Sequence, residues 1–312
     1  MKGLILSAGY GTRLGPLTDI IPKAIFPVLG RSFISLISSK LQENGISDLG
    51  VNLYHLSDKL GAHLLRIRQP GIEYFTIREE QLMGTGGGIA QFKDYIDDND
   101  NFIIHNCDII SDAPLYEMID YHCQRQPLAT LMTVDFPPIN SVSLDDNKNL
   151  VDICDEIKPD GDFDRSTFGG IAILSPEIFK YFNNKGPFSI LDIYIKLIRE
   201  KPGSVIGWKP EGDFYWRDVG SIDSYLDLHE DILVNKKYKS KLLEIPDNTV
   251  YKGFDVFVHA NAQIRGFASL GHYVRVPKAA IIEDTVIWAG TEIPKGFRVS
   301  RKVVYKNMMA PY

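Results

Sequence analysis

The chain has 312 residues, enough to bury a sizeable core and to form one large domain with a smaller one. Hydrophobic residues make up 44% of it and charged residues 24%, as in ordinary soluble globular proteins, and the net charge of −6 gives no general reason to bind nucleic acid or an anionic membrane. Three scattered cysteines, no basic leader and no long apolar run argue against a disulfide framework, a cysteine zinc site and a membrane span. We therefore expect reduced thiols and a cytoplasmic location.

The first predicted strand runs into a loop of small residues. Leu4–Leu6 is an apolar run long enough for one buried strand. Small residues after it let backbone N–H groups approach an anion closely, and phosphate is the usual anion. Arg13 adds a planar cation suited to phosphate oxygens, and Lys23 follows the rigid Pro22. We therefore predict a polyphosphate cradle made by Arg13, Lys23 and the small residues, which are Ser7, Ala8, Gly9, Gly11 and Thr12.

The region after this cradle alternates between helix and strand. Apolar spacing predicts helices over Phe33–Asn44 and Leu56–Arg68 and strands over Ile46–Leu53 and Tyr74–Ile77. A β-α-β-α-β order is typical of a mostly parallel sheet covered by helices. The next segment, Gly84–Ile89, contains successive glycines, and we expect a loop whose exposed backbone a flat group can approach.

Two aspartates follow further apolar segments. Phe102–His105 reads as a buried strand, and Asp108 stands beyond its carboxyl end. Open α/β sheets bind ligands at that edge, and a carboxylate there suits a hard cation such as Mg²⁺. Asp218 lies shortly before Ser221, which is placed to cap a helix predicted over Ile222–Leu233. Asp108 is therefore a candidate magnesium ligand, whereas Asp218 is open to a metal role or a turn role.

The end of the chain has a six-residue period. From Val258 onward an apolar residue recurs every six positions, a small or branched residue stands four positions after each, and the phase slips by one after Val286. This period predicts a short left-handed parallel β-helix in a second domain, 241–312, after a first domain, 1–240. Because such a short stack cannot easily bury itself, we expect it to pack on the first domain or on another copy. The repeat positions are Val258, Ala262, Ile264, Ala268, Leu270, Val274, Val276, Ala280, Ile282, Val286, Ile287, Ile293 and Val299.

The N-terminal motifs resemble the signature of the sugar-1-phosphate nucleotidylyltransferases, also called nucleotide-sugar pyrophosphorylases. That signature is an apolar strand followed by AGxGTRL, PLT, PK, PV and G. This chain reads SAGYGTRLGPLT, then PK at 22–23, PV at 27–28 and G at 30. Two other phosphate motifs do not fit. No GxxxxGK[ST] is present, and Leu14 stands where a dinucleotide-binding oxidoreductase needs its third glycine.

The resemblance implies a fold and an activity. The fold would be a Rossmann-like α/β structure with a mixed, mainly parallel sheet flanked by helices. The activity would be Mg²⁺-dependent transfer of a nucleotidyl group from a nucleoside triphosphate to a sugar 1-phosphate. We expect no nucleic acid or membrane partner, and the β-helix could join copies into a homo-oligomer.

The resemblance also implies roles for individual residues. Asp108 and Asp218, the latter within a W-x-D-x-G-S motif, would be the metal ligands. Arg13 would bind the β- and γ-phosphates, Lys23 would steady the α-phosphate, and Lys158, in an incomplete Glu-Lys-Pro motif, would hold the sugar phosphate. The base would lie near Gln81, Thr85 and Gly86, and the sugar near the backbone of Gly169 and Gly170.

The base and the sugar stay open between two readings. The segment FIIHNCDIISDAPLYEMIDYH is similar to mannose-1-phosphate guanylyltransferases, whereas the TGGGI segment is closer to N-acetylmuramate-1-phosphate uridylyltransferase-like enzymes. Gln81 stands where the guanylyl type tends to have an acid. The longer match favours guanylyl transfer. An alternative from another functional class is a non-catalytic regulatory subunit that binds a nucleotide-sugar. The presence of Arg13, Lys23, Asp108 and Asp218 argues against it.

Overall fold

The computed structural model describes residues 1–67, 69–96, 100–182, 186–306 and 308–310, which fall into two compact units. The first unit contains Met1–Gly9, Ile37–Ile109 and Ala113–Trp216, and the second contains Tyr10–Leu36, Ile110–Asp112 and Arg217–Tyr312. The segment after the first strand therefore belongs with the C-terminal part of the chain. The predicted division into 1–240 and 241–312 follows chain order and stays a prediction.

The helices lie close to where apolar spacing predicts them. The helix predicted over Ile222–Leu233 has those bounds, and its cap Ser221 accepts a hydrogen bond from the Ser224 N–H at 3.2 Å. Arg68, the predicted end of an earlier helix, lies outside the described residues. The α-helices of the described residues are α1 (Leu17–Ile20), α2 (Phe33–Glu43), α3 (Ser57–Ile67), α4 (Gly84–Ala90), α5 (Leu115–Arg125), α6 (Ile190–Glu200) and α7 (Ile222–Leu233), and the 3₁₀ helices are Thr12–Leu14, Lys23–Ile25 and Pro176–Tyr181.

The strands are between two and eleven residues long. In chain order they are β1 (Lys2–Leu6), β2 (Pro27–Val28), β3 (Arg31–Ser32), β4 (Asp48–Leu53), β5 (Glu73–Arg78), β6 (Phe102–Asn106), β7 (Ile109–Ser111), β8 (Ala129–Val134), β9 (Val142–Leu144), β10 (Leu150–Ile153), β11 (Asp164–Leu174), β12 (Val205–Trp208), β13 (Trp216–Asp218), β14 (Val250–Lys252), β15 (Phe257–Val258), β16 (Gln263–Leu270), β17 (Arg275–Val276), β18 (Ile281–Ile287), β19 (Arg298–Ser300), β20 (Val303–Tyr305) and β21 (Met308–Ala310).

The first unit is built on a nine-stranded sheet. Its order is β10-β9-β11-β6-β1-β4-β5, with β8 between β11 and β12. Strands β6, β1, β4 and β5 are mutually parallel, and β11 runs antiparallel to its neighbours. Helices α4 and α6 share one buried cluster with the sheet through residues such as Ile89, Ile193 and Leu4. The predicted mixed α/β sheet flanked by helices is confirmed.

The second unit contains a stack of parallel strands at its C-terminal end. Val250 pairs with Ala268 and Ile264 with Ile282, in each case 18 residues later, which is three six-residue repeats. The step falls to 17 where Ala268 pairs with Thr285 and Ile282 with Val299, so the register changes just before the slip that the sequence places after Val286. Every predicted repeat position except Val286 belongs to a single apolar cluster, and Val286 is itself buried.

Corners with left-handed backbone separate these short strands. Positive φ angles recur at Asp255, Tyr273 and Gly290, and again at Gly266, Asp284 and Arg301. In each series the step is 18 residues and then 17, as in the strand register. The chain therefore turns at matching places in successive layers, and the apolar side chains between the corners point inward.

An ionic network joins α7 to neighbouring parts of the second unit. The carboxylate of Asp231 is 6% exposed and receives hydrogen bonds from Arg217 and Lys237. Arg217 also contacts Asp227, and Asp227 in turn accepts a hydrogen bond from Arg301 at 2.6 Å. Burial acts to raise the pKa of Asp231, but the hydrogen bonds from Lys237 and Arg217 outweigh it and hold that pKa below its ordinary value.

This network predicts acid sensitivity. Because the pKa of Asp231 is depressed by folding, its contribution is present above the unfolded-state pKa, about 4, and is lost as pH falls through the lower folded-state pKa. We expect Asp231→Asn to lower the free energy of unfolding by about 2 kcal/mol at pH 7. Urea denaturation between pH 3 and pH 7 checks this: the difference between wild type and variant should shrink as pH falls. A constant difference would contradict the account.

Cys107 is buried, Cys123 and Cys154 are exposed, and all three are free thiols. In the described part of the chain, no helix is both long enough and apolar enough to cross a membrane.

Candidate active site

The small-residue loop is anchored in the first unit by Asn52. Ser7 and Ala8 follow β1 and are buried. The Ser7 N–H donates to Oδ1 of Asn52 at 2.7 Å, and the Ser7 hydroxyl donates to the backbone oxygen of Asn52 at 2.6 Å. Asn52 lies in β4, the parallel neighbour of β1. The start of the predicted cradle is therefore held by hydrogen bonds to the adjacent strand.

Asn52 also forms a hydrogen bond with the buried carboxylate of Glu79. Its Nδ2 donates to Oε1 of Glu79 at 2.8 Å, and the other carboxylate oxygen accepts from the N–H of Met83 at 3.0 Å. Glu79 is only 4% exposed and follows β5. Because Ser7 needs an acceptor and Glu79 needs a donor, the network fixes the orientation of the Asn52 amide. The loop after β1 and the start of α4 are thus connected through two buried side chains.

The glycine-rich segment is a helix and not the predicted loop with exposed backbone. Residues Gly84–Ala90 form α4, and Gly86, Gly87 and Gly88 are all buried. A Cβ on Gly86 would lie 2.3 Å from the Phe188 ring, and one on Gly88 would lie 2.8 Å from Asn52 Nδ2. The expectation was wrong because these glycines allow close packing inside the protein.

Thr85 and Gly86 contact α6 and the segment before it. The Thr85 hydroxyl accepts a hydrogen bond from the Ile190 N–H at 3.0 Å, and the Gly86 N–H donates to the Phe188 oxygen at 3.0 Å. Gln81, by contrast, is exposed. These contacts give Thr85 and Gly86 roles within the protein, and the predicted contacts of all three residues with a base stay predictions.

Asp108 stands beyond β6 in the first unit, as the sequence predicts. The N–H of Cys107 donates to the oxygen of Leu6 at 3.1 Å, which ties this turn to the end of β1. Asp108 itself is half-buried. His105, inside β6, is fully enclosed, and burial lowers its pKa to about 4. Its ring is therefore neutral near pH 7.

Lys158 lies on an exposed loop of the first unit whose backbone is held by Asp152. The buried carboxylate of Asp152 accepts hydrogen bonds from three successive N–H groups, those of residues 156, 157 and 158, at 3.1, 2.9 and 3.3 Å. Lys158 adopts a left-handed conformation with φ of 52°. The loop borders a polar cleft that also contains Asp155 and Arg165, which are hydrogen-bonded at 2.7 Å.

Gly169 and Gly170 lie in β11 and are buried. A Cβ on Gly169 would lie 2.7 Å from Met132 Cε, and one on Gly170 would lie 2.6 Å from Ile109 Cγ1. The Trp216 indole N–H donates to the oxygen of Gly169 at 2.9 Å. Neighbouring side chains therefore already explain why these positions need glycine, and the proximity to a sugar stays a prediction.

The rest of the cradle belongs to the second unit. Gly11 has φ of 65°, a left-handed conformation that glycine adopts without strain, and its oxygen accepts the N–H of Leu14 at 2.9 Å. Thr12 and Arg13 are exposed in the 3₁₀ turn that follows. Lys23 is 8% exposed, and a Cβ on Gly11 would lie 3.6 Å from its Cβ. The stem of Lys23 thus lies beside the Gly11 backbone.

Arg13 lies against Gly220, which is two positions after the predicted metal ligand Asp218. A Cβ on Gly220 would lie between 2.7 and 2.9 Å from three atoms of the Arg13 guanidinium. Asp218 is half-buried at the end of β13, and Ser221 caps α7 directly after Gly220. The structure therefore brings Arg13 beside the Asp218–Ser221 segment within one unit, although the two are more than 200 positions apart in the sequence.

The carboxylates suit an oxygen-preferring cation. No group of three or more histidine, cysteine, aspartate or glutamate side chains that could hold a metal occurs among the described residues. Asp108 and Asp218 are each half-buried, and carboxylate oxygens are the ligands that Mg²⁺ prefers. Such a cation needs only one or two carboxylates when substrate phosphates supply further ligands. Asp108 belongs to the first unit and Asp218 to the second, and their role as magnesium ligands stays a prediction.

The chain belongs to the nucleotidyl transferase family, whose profile matches residues 2–235. It is 23% identical to the UTP–glucose-1-phosphate uridylyltransferase of Synechocystis over 98% of this chain and 87% of that protein. It is 29% identical to mannose-1-phosphate guanyltransferase 2 of Candida glabrata over 72% of this chain, and the match spans 63% of that relative's length. The predicted resemblance to sugar-1-phosphate nucleotidylyltransferases is confirmed.

A solved structure shows the same fold. A protein of Bacillus anthracis, provisionally named a glucose-1-phosphate thymidylyltransferase, superposes with a TM-score of 0.64 at 20% identity. The superposition covers 78% of this chain and 98% of that one. The likeness supports the α/β architecture of the nucleotidyl transferases.

The sequence did not reveal the residues that support the predicted site residues through hydrogen bonds and packing. Asn52 stands inside an apolar strand and Glu79 inside an acidic pair, so neither carries a motif. Gly220 was visible only as part of the motif around Asp218. A polar residue at a strand position otherwise filled by apolar side chains, as Asn52 is within LGVNLY, is the one local signal that could have identified it.

Proposed function

We propose that this protein transfers a nucleotidyl group from a nucleoside triphosphate to a sugar 1-phosphate, producing a nucleotide-sugar and pyrophosphate. The observation that carries the proposal is the family match over residues 2–235, which includes the cradle, both aspartates and Lys158. The close approach of Arg13 to Gly220 supports it, because a phosphate-binding cation then lies beside the segment that carries Asp218.

The reaction needs positioning more than acid–base chemistry. The phosphate group of a sugar 1-phosphate has a second pKa of about 6, so its attacking oxygen is already anionic at neutral pH. That oxygen attacks the α-phosphorus, a new P–O bond forms, and the bond from the α-phosphorus to the bridging oxygen breaks. The electron pair of that bond leaves with pyrophosphate. The protein must hold mutually repelling anions in line, as in other phosphoryl-type transfers.

The cationic residues divide this work. Arg13 binds the β- and γ-phosphates and the departing pyrophosphate through its planar fork. Lys23 steadies the α-phosphate, and its buried stem limits how far the ammonium can move. Lys158 holds the sugar phosphate. Asp108 and Asp218 would hold Mg²⁺, which supplies positive charge to the phosphate oxygens when bound.

Gly220→Ala tests the placement of Arg13. An added methyl group would overlap the guanidinium, so Arg13 must move while the fold stays intact. We expect the KM for the nucleoside triphosphate to rise about 10-fold, equivalent to losing one charge-assisted hydrogen bond of about 1.4 kcal/mol. Steady-state kinetics checks this, with Gly186→Ala as the control for a glycine change, because a Cβ at Gly186 meets no atom within 4 Å. An unchanged KM would show that Arg13 does not contribute to binding of the triphosphate.

We propose two alternatives for the base and the sugar. Guanylyl transfer to mannose 1-phosphate is favoured by the segment FIIHNCDIISDAPLYEMIDYH and by the Candida glabrata relative. Uridylyl transfer, including transfer to an N-acetylated sugar 1-phosphate, is favoured by the glycine-rich segment and by the Synechocystis relative, whose match spans more of both chains. Both belong to the same reaction, and the same screen separates them.

The screen combines four nucleoside triphosphates with a panel of sugar 1-phosphates in the presence of Mg²⁺ and measures pyrophosphate release. We expect pyrophosphate release from one or a few pairs and none when the sugar 1-phosphate is omitted. Absence of release from every pair, combined with tight binding of a nucleotide-sugar, would instead favour a non-catalytic regulatory subunit.

We also propose that the C-terminal stack is a short left-handed parallel β-helix that can join copies of the chain. The pairing of residues 18 and then 17 positions apart and the matching left-handed corners support three strands per turn. Sedimentation equilibrium of the whole chain tests the assembly role: a monomer at all concentrations would contradict it.

A further inference from the structure

A hydrogen-bonded chain runs from the C-terminal stack to the loop that carries Lys23. The indole Nε1 of Trp288 lies 3.2 Å from the hydroxyl oxygen of Tyr225, and that hydroxyl bonds to the backbone oxygen of Pro27. An indole N–H can only donate, so the tyrosine oxygen accepts from Trp288. The tyrosine proton then goes to Pro27. The direction of both bonds is therefore fixed.

The whole chain of contacts is shielded from water. Trp288 is 3% exposed, and Tyr225 and Phe26 are fully buried. Burial raises the pKa of Tyr225 well above its ordinary value, against a smaller opposing effect of the indole hydrogen bond. The hydroxyl therefore keeps its proton at any ordinary pH, and hydrogen bonds in such a dry environment are stronger than in water.

Aromatic packing reinforces the same connection. The ring of Phe26 lies 4.8 Å from the Trp288 ring and 5.6 Å from the Tyr225 ring, both in edge-to-face arrangements. Phe26 also closes the turn that presents Lys23, because its N–H donates to the oxygen of Lys23 at 2.9 Å. The residues on either side of the Phe26–Pro27 bond are thus held by Tyr225 and Trp288.

A tyrosine hydroxyl is not needed simply to fill this space. Phenylalanine at position 225 would make the same ring contacts with Phe26 and Phe33. What the hydroxyl adds is a fixed distance between α7 and the Pro27 carbonyl, and what Trp288 adds is a fixed direction for that hydroxyl. Lys23 lies just before this anchored point, with its stem against Gly11.

We propose that Tyr225 and Trp288 are positioning residues that hold Lys23 in place for nucleotidyl transfer. This inference rests on the proposed function, because it assigns the C-terminal stack a part in the same reaction. A displacement of about 1 Å in a reacting group can cost ~10²-fold in rate, so a loop of irregular backbone needs such an anchor. The stack then contributes to turnover without touching a substrate.

The kinetic test removes the hydroxyl and leaves the ring. Tyr225→Phe should lower kcat by about 10-fold to 100-fold while the KM for the sugar 1-phosphate stays unchanged. Trp288→Phe should lower kcat less, because Tyr225 still donates to Pro27. Tyr305→Phe is the matched control, since it removes a hydroxyl from the same stack next to Trp288 and should change nothing.

A double-mutant cycle separates positioning from general loosening. If Tyr225 acts through Lys23, then Tyr225→Phe has no further effect on kcat in a Lys23→Met background. Independent, additive losses would overturn the proposal, because they would mean that Tyr225 affects turnover by another route.

Amide hydrogen exchange tests the anchor without any activity. The N–H groups of Ile25 and Phe26 are bonded to Pro22 and Lys23, each at 2.9 Å, and report opening of the turn. Exchange at both should speed up at least about 10-fold in Tyr225→Phe and stay unchanged in Tyr305→Phe. Unchanged exchange in Tyr225→Phe would overturn the proposal even if the enzyme is active. Faster exchange in a protein that transfers no nucleotide would instead refute the proposed function and leave the anchor standing.

Discussion

Replacing Asp108 or Asp218 by asparagine is expected to reduce nucleotidyl transfer by about 10³-fold or more while the protein stays folded. Asparagine keeps the size of the side chain and removes its charge. Both positions are half-buried at the ends of strands, where the loss of one carboxylate need not disturb the core. If these carboxylates hold a divalent ion, as we propose, that ion would be the largest local charge in the site, and its weaker binding would leave the repulsion between the phosphates uncompensated.

The measurements for this prediction are kcat with saturating Mg²⁺ and the binding of Mn²⁺ followed by water proton relaxation. Both variants should lose Mn²⁺ affinity and turnover together, with a melting temperature near that of wild type. Asp223→Asn, an exposed carboxylate in the first turn of α7, is the control and should change neither quantity. A variant at 108 or 218 that turns over at a near-native rate would show that its carboxylate is not a metal ligand.

Asn52→Leu is expected to cost about 3 kcal/mol of stability and most of the activity. The substitution removes the acceptor of the Ser7 N–H and one donor to the buried carboxylate of Glu79 in a single step. Leucine has a similar volume, so the loss reflects unsatisfied polar groups and not a cavity. The loop after β1 and the start of α4 would then lose their common anchor.

Urea denaturation measures the free energy of unfolding of the variant. Steady-state kinetics at 10 °C, where the variant remains folded, measures its activity. Asn147→Leu, on an exposed turn, is the matched control and should be near neutral. If Asn52→Leu is as stable and as active as that control, the buried network does not support the site.

The parts of the fold that could be predicted are those specified by neighbouring residues in the sequence. The helix over Ile222–Leu233 was found because its apolar spacing and its cap Ser221 are local signals. The apolar positions of the C-terminal stack were found because a six-residue period repeats within a short stretch. The one-residue slip that the sequence places after Val286 occurs slightly earlier in the structure, between Glu283 and Thr285.

The glycine-rich segment shows why the rest could not be predicted. Its glycines suggested exposed backbone, but their neighbours are Phe188, about 100 positions later, and Asn52, on another strand. A glycine that serves a ligand and a glycine that serves close packing look alike in a sequence. Only the tertiary contacts distinguish the two.

The same limit applies to the supporting residues of the site. Arg13 and Lys23 were found because they stand in a family motif, whereas Asn52, Glu79, Tyr225 and Trp288 act through partners distant in sequence. The grouping of residues 10–36 with 217–312 could not be foreseen either, since a division by chain order separates them. Motifs identify groups that touch ligands, and packing identifies the groups that hold them.

In the proposed reaction, the oxygen of a sugar 1-phosphate attacks the α-phosphorus of a nucleoside triphosphate. Supplying the sugar 1-phosphate labelled with ¹⁸O in its phosphate group and analysing the products by mass spectrometry tests this step. We expect all of the label in the nucleotide-sugar and none in pyrophosphate. Label in pyrophosphate, or hydrolysis of the triphosphate that does not depend on the sugar 1-phosphate, would contradict it.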